Sequence, residues 1–250
     1  GQRPDDLSYE RTARKRAESL GIAIRPYELD EFAPQAAIEA AIHEVNRDEN
    51  VHGCLLFRPL PSFVDESHMC ELLDPKKDID GITLASLASV FTDGHAGYPP
   101  ATAAACIQLL DHYQVPLQGK HVVVVGRSLV VGKPVSMMLL RRNASVTICH
   151  SKTENLADIM RSADVVICAT GRARTFGAQF FGPGQTVLDV GINFDTQGNL
   201  CGDVDFAEVE PVVAAITPVP GGIGTVTTSV TMAHTVAAAE AALAARTGRR

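Results

Sequence analysis

The sequence predicts an α/β protein of two α/β lobes, the second a parallel sheet with helices on both faces, with a cleft between the lobes. Three observations carry that prediction. The 250 residues fall between one domain and two at about 150 residues per domain. The second half alternates short apolar runs with helical patterns, as successive βα units require. A Pro- and Gly-containing stretch, His95 to Pro100, separates that half from the first.

In chain order, Tyr9 to Leu20 is charged and helix-favouring, and it ends at Gly21, the position of a C-terminal cap. Ile22 to Leu29 reads as a short strand. Gln35 to Asn46 places Ala37, Ile38, Ala41, Ile42 and Val45 at helical spacing. Val51 to Phe57 is an apolar run stopped by Arg58-Pro59-Leu60-Pro61, the pattern of a buried parallel strand. Ala103 to Tyr113 is helical. Strands follow at His121 to Val125, Ser145 to Cys149, Val165 to Ala169, Thr186 to Val190 and Ala215 to Ile216, with helices at Lys133 to Arg142 and Leu156 to Arg161. The Ala-rich segment Thr228 to Ala245 closes the chain as a helix, and Arg246 to Arg250 reads as a frayed tail. The expected domains are 1–102, completed by a C-terminal helix at 228–250, and a nucleotide-binding domain at 103–227.

Composition excludes some functions. Apolar residues make up 46% and charged residues 20%, without Trp, an ordinary soluble balance. With 22 Lys and Arg against 29 Asp and Glu, the net charge of −7 argues against a nucleic-acid partner and for a small molecule or protein. The six cysteines form no Cys-x-x-Cys pair and have no His at metal-ligand spacing, so they read as reduced thiols of a cytoplasmic protein without a metal. No apolar run reaches the roughly 18 residues of a membrane span, and no signal-peptide pattern opens the chain. His52, His68, His95, His112 and His234 lack mutual spacing or a nearby carboxylate pattern and read as surface or core residues.

The strongest local signal is Gly126-Arg127-Ser128-Leu129-Val130-Val131-Gly132-Lys133-Pro134, directly after a four-valine strand and opening a helix. Glycines there let the backbone turn tightly and approach a phosphate, and a helix amino end offers unpaired amides. The same residues also fit a purely structural strand-to-helix turn. The ribose diol of NAD usually takes a carboxylate at the end of the next strand. Here that strand runs into His150-Ser151-Lys152-Thr153. Arg127 and the Ser151 hydroxyl suit a 2′-phosphate instead, which favours NADP over NAD, although Arg127 equally fits a solvated loop. Thr170-Gly171, Gly191-Ile192-Asn193 and Pro220-Gly221-Gly222-Ile223-Gly224 mark further backbone approaches at strand ends, where ligands of open α/β sheets sit.

Together with Pro75-Lys76-Lys77-Asp78-Ile79-Asp80-Gly81, Asp189-Val190-Gly191-Ile192-Asn193, Gly202-Asp203-Val204 and Ile216 to Gly224, these segments resemble the methylenetetrahydrofolate dehydrogenase/cyclohydrolase family, the FolD type. The resemblance covers nearly the whole chain. It implies that the second lobe is Rossmann-like, that a strand and helix precede the segment opening here at Gly1 rather than Met, and that the protein is a homodimer. It implies that Asp80 binds the pterin, whose 2-amino-4-oxo edge offers two adjacent N–H donors to a carboxylate. By residue type alone, Asp80 equally fits a turn before Gly81. Tyr9 matches the folate-stacking tyrosine, though an aromatic early in a helix also suits a core. Pro220, Gly221, Gly224 and Thr227 fall at the folate substrate. Thr102, Gly126, Arg127, Ser128, Ser151, Thr170, Gly171, Ile192 and Thr227 fall at the cofactor.

The departures cluster on the folate side. The family's catalytic lysine, four residues after the tyrosine, is Ala13, while Arg11, Arg14, Lys15 and Arg16 point elsewhere on the helix. The glutamine that tunes the lysine is Phe57, followed by Arg58. Hydride transfer chiefly needs two rings held face to face, whereas hydrolysis of the methenyl cation needs general acid-base chemistry that Ala13 does not supply. The expected function is NADP-dependent oxidation of 5,10-methylenetetrahydrofolate to 5,10-methenyltetrahydrofolate, with cyclohydrolase activity weak or lost. The alternatives are a paralogue using the same pockets for a different one-carbon reaction, and a non-catalytic folate- and nucleotide-binding pseudoenzyme.

Overall fold

The structure, a computed structural model, describes residues 1–248, apart from the side chains of Pro4, Asp5 and Ser8. Arg249 and Arg250 of the expected tail lie outside the described residues. The chain divides into two units, Gly1–Ala101 with Thr228–Arg250, and Thr102–Thr227.

The first unit opens with α1 (Pro4–Ser19), whose Pro lies in the first turn and whose end is closed by Gly21 N–H donating to the Glu18 carbonyl. α2 (Gln35–Arg47) buries Ile38, Ile42 and Val45. These residues meet Val64, Met69, Cys70, Leu73 and Ile82 in one core. α3 (Glu66–Leu72) and α4 (Leu84–Thr92) start at the side-chain caps Asp65 and Thr83. Lys77 donates three hydrogen bonds, to the carbonyls of Val45, Asn46 and Asp48 at 2.7, 3.0 and 2.8 Å. It thereby closes the C-terminal end of α2, where a cation also meets the helix dipole.

Among the described residues, neither strand expected in this unit forms. Ile22 to Leu29 takes no strand structure. Ile24 faces solvent, and Tyr27 donates its hydroxyl to Glu44 at 2.8 Å. Val51 to Phe57 is reduced to one parallel bridge, Cys54 to Asp78. An apolar run becomes a strand only where a neighbour extends beside it, because its backbone groups need partners. Here Cys54 alone has a bridging neighbour, its N–H donating to the Lys77 carbonyl at 2.7 Å.

The second unit begins with α5 (Ala101–His112, from the last residue of the first unit). It continues through β1 (His121–Val125), α6 (Gly132–Arg141), β2 (Ser145–Cys149), α7 (Leu156–Arg161), β3 (Val165–Cys168) and β4 (Thr186–Asp189). A two-stranded ribbon, β5 (Asn193–Phe194) with β6 (Leu200–Cys201), precedes α8 (Phe206–Val209) and β7 (Ala215–Ile216). The sheet runs β2-β1-β3-β4-β7, with every pair parallel. Among its five strands this is the doubly wound order 2-1-3-4-5, which reverses direction between β1 and β3, the usual ligand crevice. Val122 to Val125 and Val165 to Cys168 are buried, as continuous apolar runs covered on both faces require.

α9 (Ile223–Thr247) starts in the second unit and continues into the first. It is longer than expected at both ends. Arg246 is helical, and its guanidinium donates to the Glu49 carbonyl at 2.6 Å, so the tail is anchored at that point rather than frayed. All six cysteines are free thiols, and among the described residues no helix is long and apolar enough to cross a membrane.

Candidate active site

On the first unit, two carboxylates of one turn are treated in opposite ways. Asp78 is fully buried and accepts hydrogen bonds from Ile82 N, Thr83 N and Ser86 Oγ at 3.0, 2.8 and 2.7 Å. It is the internal brace of the turn. Gly81 follows at φ +69°, and a Cβ there would collide with the backbone of Pro99 and Pro100, so only glycine fits. Between them, Asp80 is half-buried and receives no hydrogen bond from the described residues. Burial pushes its carboxyl up to about 6; the Arg58 charge pulls the other way and Asp78 adds to the rise. A half-buried carboxylate with its acceptor sites unused is suited to receive donors from a ligand.

Tyr9, on α1 of the same unit, feels the Asp80 charge. Its hydroxyl is hydrogen-bonded with Thr231 and Thr228 of α9, and burial, followed by the Asp80 charge, raises it above the usual phenol value. The Phe57 ring meets the Tyr9 ring edge-on, centroids 5.9 Å apart at 89°. Ala13, one turn along α1 from Tyr9, is 6% exposed, and Ala17 below it is fully buried. The basic neighbours of Ala13 on α1 lie elsewhere. Arg14 pairs with Glu10 on the same helix, Arg11 donates to the Leu7 carbonyl at 3.3 Å, and Lys15 and Arg16 are exposed.

Two histidines that read from sequence as unremarkable have defined partners. His234 stacks on Tyr98 with centroids 4.9 Å apart, and its Nδ1 lies 2.9 Å from the Ile79 carbonyl, bracing the Asp80 turn. His68 Nε2 lies 3.6 Å from Glu39.

On the second unit, β1 and β2 pair through Val125 and Cys149 at their ends. Arg127 and Ser151 each stand two residues beyond that pair, both exposed. Gly126 turns at φ +138°, and a Cβ there would collide with the Ala169 carbonyl oxygen, so the loops after β1 and β3 pack directly on each other. The helix start differs from expectation. Ser128 Oγ accepts the Val131 N–H at 3.1 Å, the Ser128 carbonyl accepts the Lys133 N–H at 3.0 Å, and position 134 is proline. Three of the donors that the sequence leads one to expect at the start of α6 are therefore engaged or missing.

Thr170 and Gly171 are committed within the protein. Their N–H groups donate to the Asp203 carboxylate, as do the Thr170 hydroxyl, the Arg172 N–H and Asn193 Nδ2. Asp203 is fully buried and organises the loop after β3 from within. Thr170 and Gly171 can offer a cofactor shape and carbonyls, but these donors are already engaged. Asp189 repeats the arrangement, accepting N–H groups of Gly191, Asp203 and Val204 at 3.1, 2.9 and 2.9 Å, and burial pushes its carboxyl up to about 6. Asp203→Ala would leave buried donors unpaired, so it is expected to destabilise the protein by about 3–5 kcal/mol. The check is denaturant unfolding, in which a midpoint equal to wild type would contradict this role.

Of the remaining expected contacts, Ile192, Pro220, Gly221 and Gly224 are exposed and Thr102 is half-buried. Thr227 is buried, with its hydroxyl donating to the Ile223 carbonyl at 3.1 Å.

A doubly wound parallel sheet with polar groups beyond its carboxyl ends, in one chain with an unsatisfied carboxylate on a helical unit, defines a two-unit α/β protein of the nucleotide-dependent class. Residues 1–80 match the catalytic domain, and residues 100–243 the NAD(P)-binding domain, of tetrahydrofolate dehydrogenase/cyclohydrolase. The chain is 49% identical over 242 residues to the bifunctional protein FolD of Carboxydothermus hydrogenoformans, covering 96% of this chain and 84% of that one. Its fold superposes on the bifunctional FolD enzyme of Campylobacter jejuni with a TM-score of 0.93 at 35% identity, over 96% of this chain and 86% of that chain. The Trypanosoma brucei FolD enzyme, solved with NADP and an inhibitor, gives 0.92 at 32% identity, over 97% and 85%. The chain belongs to the tetrahydrofolate dehydrogenase/cyclohydrolase family.

Proposed function

We propose that this protein oxidises 5,10-methylenetetrahydrofolate to 5,10-methenyltetrahydrofolate by hydride transfer to NADP, and that hydrolysis of the methenyl product is weak or lost. The observation that carries this reading is the contrast between Asp80, present with its acceptor sites unused, and Ala13, a buried methyl group where the family has its lysine.

The ionised Asp80 accepts the two adjacent N–H groups of the pterin edge and fixes the folate's orientation. The Tyr9 ring is available as a stacking surface, with Phe57 behind it. Its hydroxyl, engaged by α9 and raised in pKa, stays protonated near neutrality and does not act as a base. Neither Ala13 nor Phe57 carries a group that can accept or return a proton, so water is left unactivated while hydride transfer needs no protein base.

The nucleotide side fits NADP. Arg127 and Ser151, with no side-chain partner among the described residues, project beyond the two adjoining strand ends and offer charge and a hydroxyl to a 2′-phosphate. When bound, that cofactor supplies the hydride acceptor. The first unit with the C-terminal helix is assigned to folate and 103–227 to the nucleotide, and homodimeric assembly belongs to the same reading.

Purified protein given methylenetetrahydrofolate and NADP is expected to accumulate the methenyl absorbance. Added methenyltetrahydrofolate should hydrolyse little faster than in buffer; hydrolysis keeping pace with oxidation would overturn the second half. Arg127→Ala should raise KM for NADP about tenfold or more, from a lost charge-assisted contact, and leave KM for NAD in place.

A further inference from the structure

We infer that His234 is a positioning residue of the folate site, holding the peptide bond that carries Asp80 so that both carboxylate oxygens meet the two N–H groups of a pterin edge. The inference rests on the proposed function and adds a residue to it. The contact is direct. His234, half-buried on α9, places Nδ1 2.9 Å from the Ile79 carbonyl oxygen. That oxygen belongs to the planar peptide joining Ile79 to Asp80, so fixing its direction fixes the backbone from which the carboxylate projects. A carbonyl only accepts, so Nδ1 is the ring nitrogen that carries a proton. The ring is held in turn by Tyr98, on which it stacks with centroids 4.9 Å apart and planes 28° from parallel.

Three segments thereby close on one turn. On one side lies the segment 51–57, where the Cys54 N–H donates to the Lys77 carbonyl at 2.7 Å and a Cβ on Gly53 would come within 2.6 Å of the Ile79 side chain. Tyr98 leads into Pro99 and Pro100, whose backbone packs directly on Gly81. α9 supplies the third contact, through His234. Its role differs from that of Asp78, which takes its donors from Ile82, Thr83 and Ser86, all beyond Asp80. His234 holds the peptide before it. Without that donor the carbonyl of buried Ile79 loses a partner and the peptide is free to turn toward another. A carboxylate displaced by even about 1 Å then misses the second pterin donor. Burial lowers the pKa of the His234 ring, so at pH 7 it is neutral and acts through its hydrogen bond and not through a charge. The same helix engages the Tyr9 hydroxyl through Thr228 and Thr231, so one element backs both proposed folate contacts.

The test measures the dissociation constant of tetrahydrofolate at pH 7 for the wild type, His234→Phe, His234→Asn, Asp80→Asn and the His234→Phe/Asp80→Asn double variant, with NADP affinity as the check on folding. His234→Phe keeps a ring against Tyr98 and removes the donor. It should weaken tetrahydrofolate binding about tenfold and leave NADP binding unchanged, because a buried acceptor loses its partner. His234→Asn returns an N–H donor at the position of Nδ1 and should bring binding back to within about threefold of wild type. In the Asp80→Asn background, His234→Phe should change tetrahydrofolate binding by less than about twofold, since its effect passes through the carboxylate. Heteronuclear NMR of the ring nitrogens in the wild type should show His234 protonated at Nδ1, a reading that needs no variant to fold. A His234→Phe protein that binds NADP normally and tetrahydrofolate as tightly as wild type overturns the inference. So does a tenfold loss that persists without Asp80, a His234→Asn protein no better than His234→Phe, or a wild-type ring bare at Nδ1. A wild type that binds NADP but no tetrahydrofolate overturns the functional reading itself.

Discussion

Asp80→Asn is expected to weaken tetrahydrofolate binding about 100-fold at pH 7 and, at the same pH, to raise the protein's stability. The binding loss follows from the donor inventory. An ionised carboxylate accepts both N–H groups of the pterin edge, whereas asparagine offers one carbonyl and turns an amino group toward the second donor. Losing one charge-assisted hydrogen bond and leaving its partner unpaired costs about 2–3 kcal/mol. The stability gain follows from burial. A free aspartate titrates near 3.8, and Asp80 is pushed up to about 6. Below the lower value the carboxyl is protonated in both the folded and unfolded chains, and its burial carries no charge penalty. Above the upper value the folded protein holds a charge that the unfolded chain carries more easily, so stability is lost as pH rises through this interval. The cost is on the order of 1–3 kcal/mol at neutral pH. Asparagine removes it, so the variant should melt several degrees higher at pH 7.5 and close to wild type at pH 4. Calorimetry at the two pH values decides the point. A variant that is less stable at both would mean that Asp80 serves the turn, as Asp78 does, and not a ligand.

The contrast between those two aspartates shows where sequence reading reaches its limit. Both belong to Pro75 to Gly81, and the motif singles out Asp80, whose acceptor sites the fold leaves unused. That Asp78 is the brace is hinted at only by Thr83 and Ser86, which supply its donors a few residues on. Arg58, whose charge acts on Asp80 although it lies far back along the chain, is related to it by the fold alone and by no local pattern. The same holds for Asp203, whose carboxylate gathers amides from the loop after β3 although it lies far along the chain.

Secondary structure divides in the same way. The strands of the second unit's parallel sheet are legible because each is a short run rich in apolar or β-branched residues, bounded by turn residues, and each has a neighbour, whereas the ribbon strands β5 and β6 escape the reading. Val51 to Phe57 carries the same signature without the neighbour and stays a single bridge. α3 and α4 escape the sequence reading although Asp65 and Thr83 are ordinary helix caps. They are short, and Leu84 and Phe91 of α4 face solvent at 61% and 74% exposure, which blurs the apolar stripe.

The largest gain of function should come from restoring the missing pair. Ala13 lies one helical turn from Tyr9 on the face that α1 buries, so a lysine there is directed into the protein and not into solvent. Ala13→Lys alone would bury an ammonium on the inward face of α1, and is expected to lower the melting temperature and add little hydrolysis. Phe57→Gln alone removes an aromatic contact with Tyr9, worth about 1 kcal/mol, and supplies no base. In the Ala13→Lys/Phe57→Gln double variant, the introduced amide gives the ammonium a carbonyl partner, and burial lowers the lysine pKa toward the range in which it can exchange protons. That variant should therefore hydrolyse methenyltetrahydrofolate about 100-fold faster than either single variant, the contribution typical of a positioned acid-base group, with a rate that rises with pH as the lysine deprotonates. The measurement is the decay of methenyl absorbance across pH 6 to 9. A double variant no faster than the single ones would show that the lost pair is not what limits hydrolysis. A wild type already as fast as the double variant would show that Ala13 was never the defect and that a proton carrier other than the lysine serves this site.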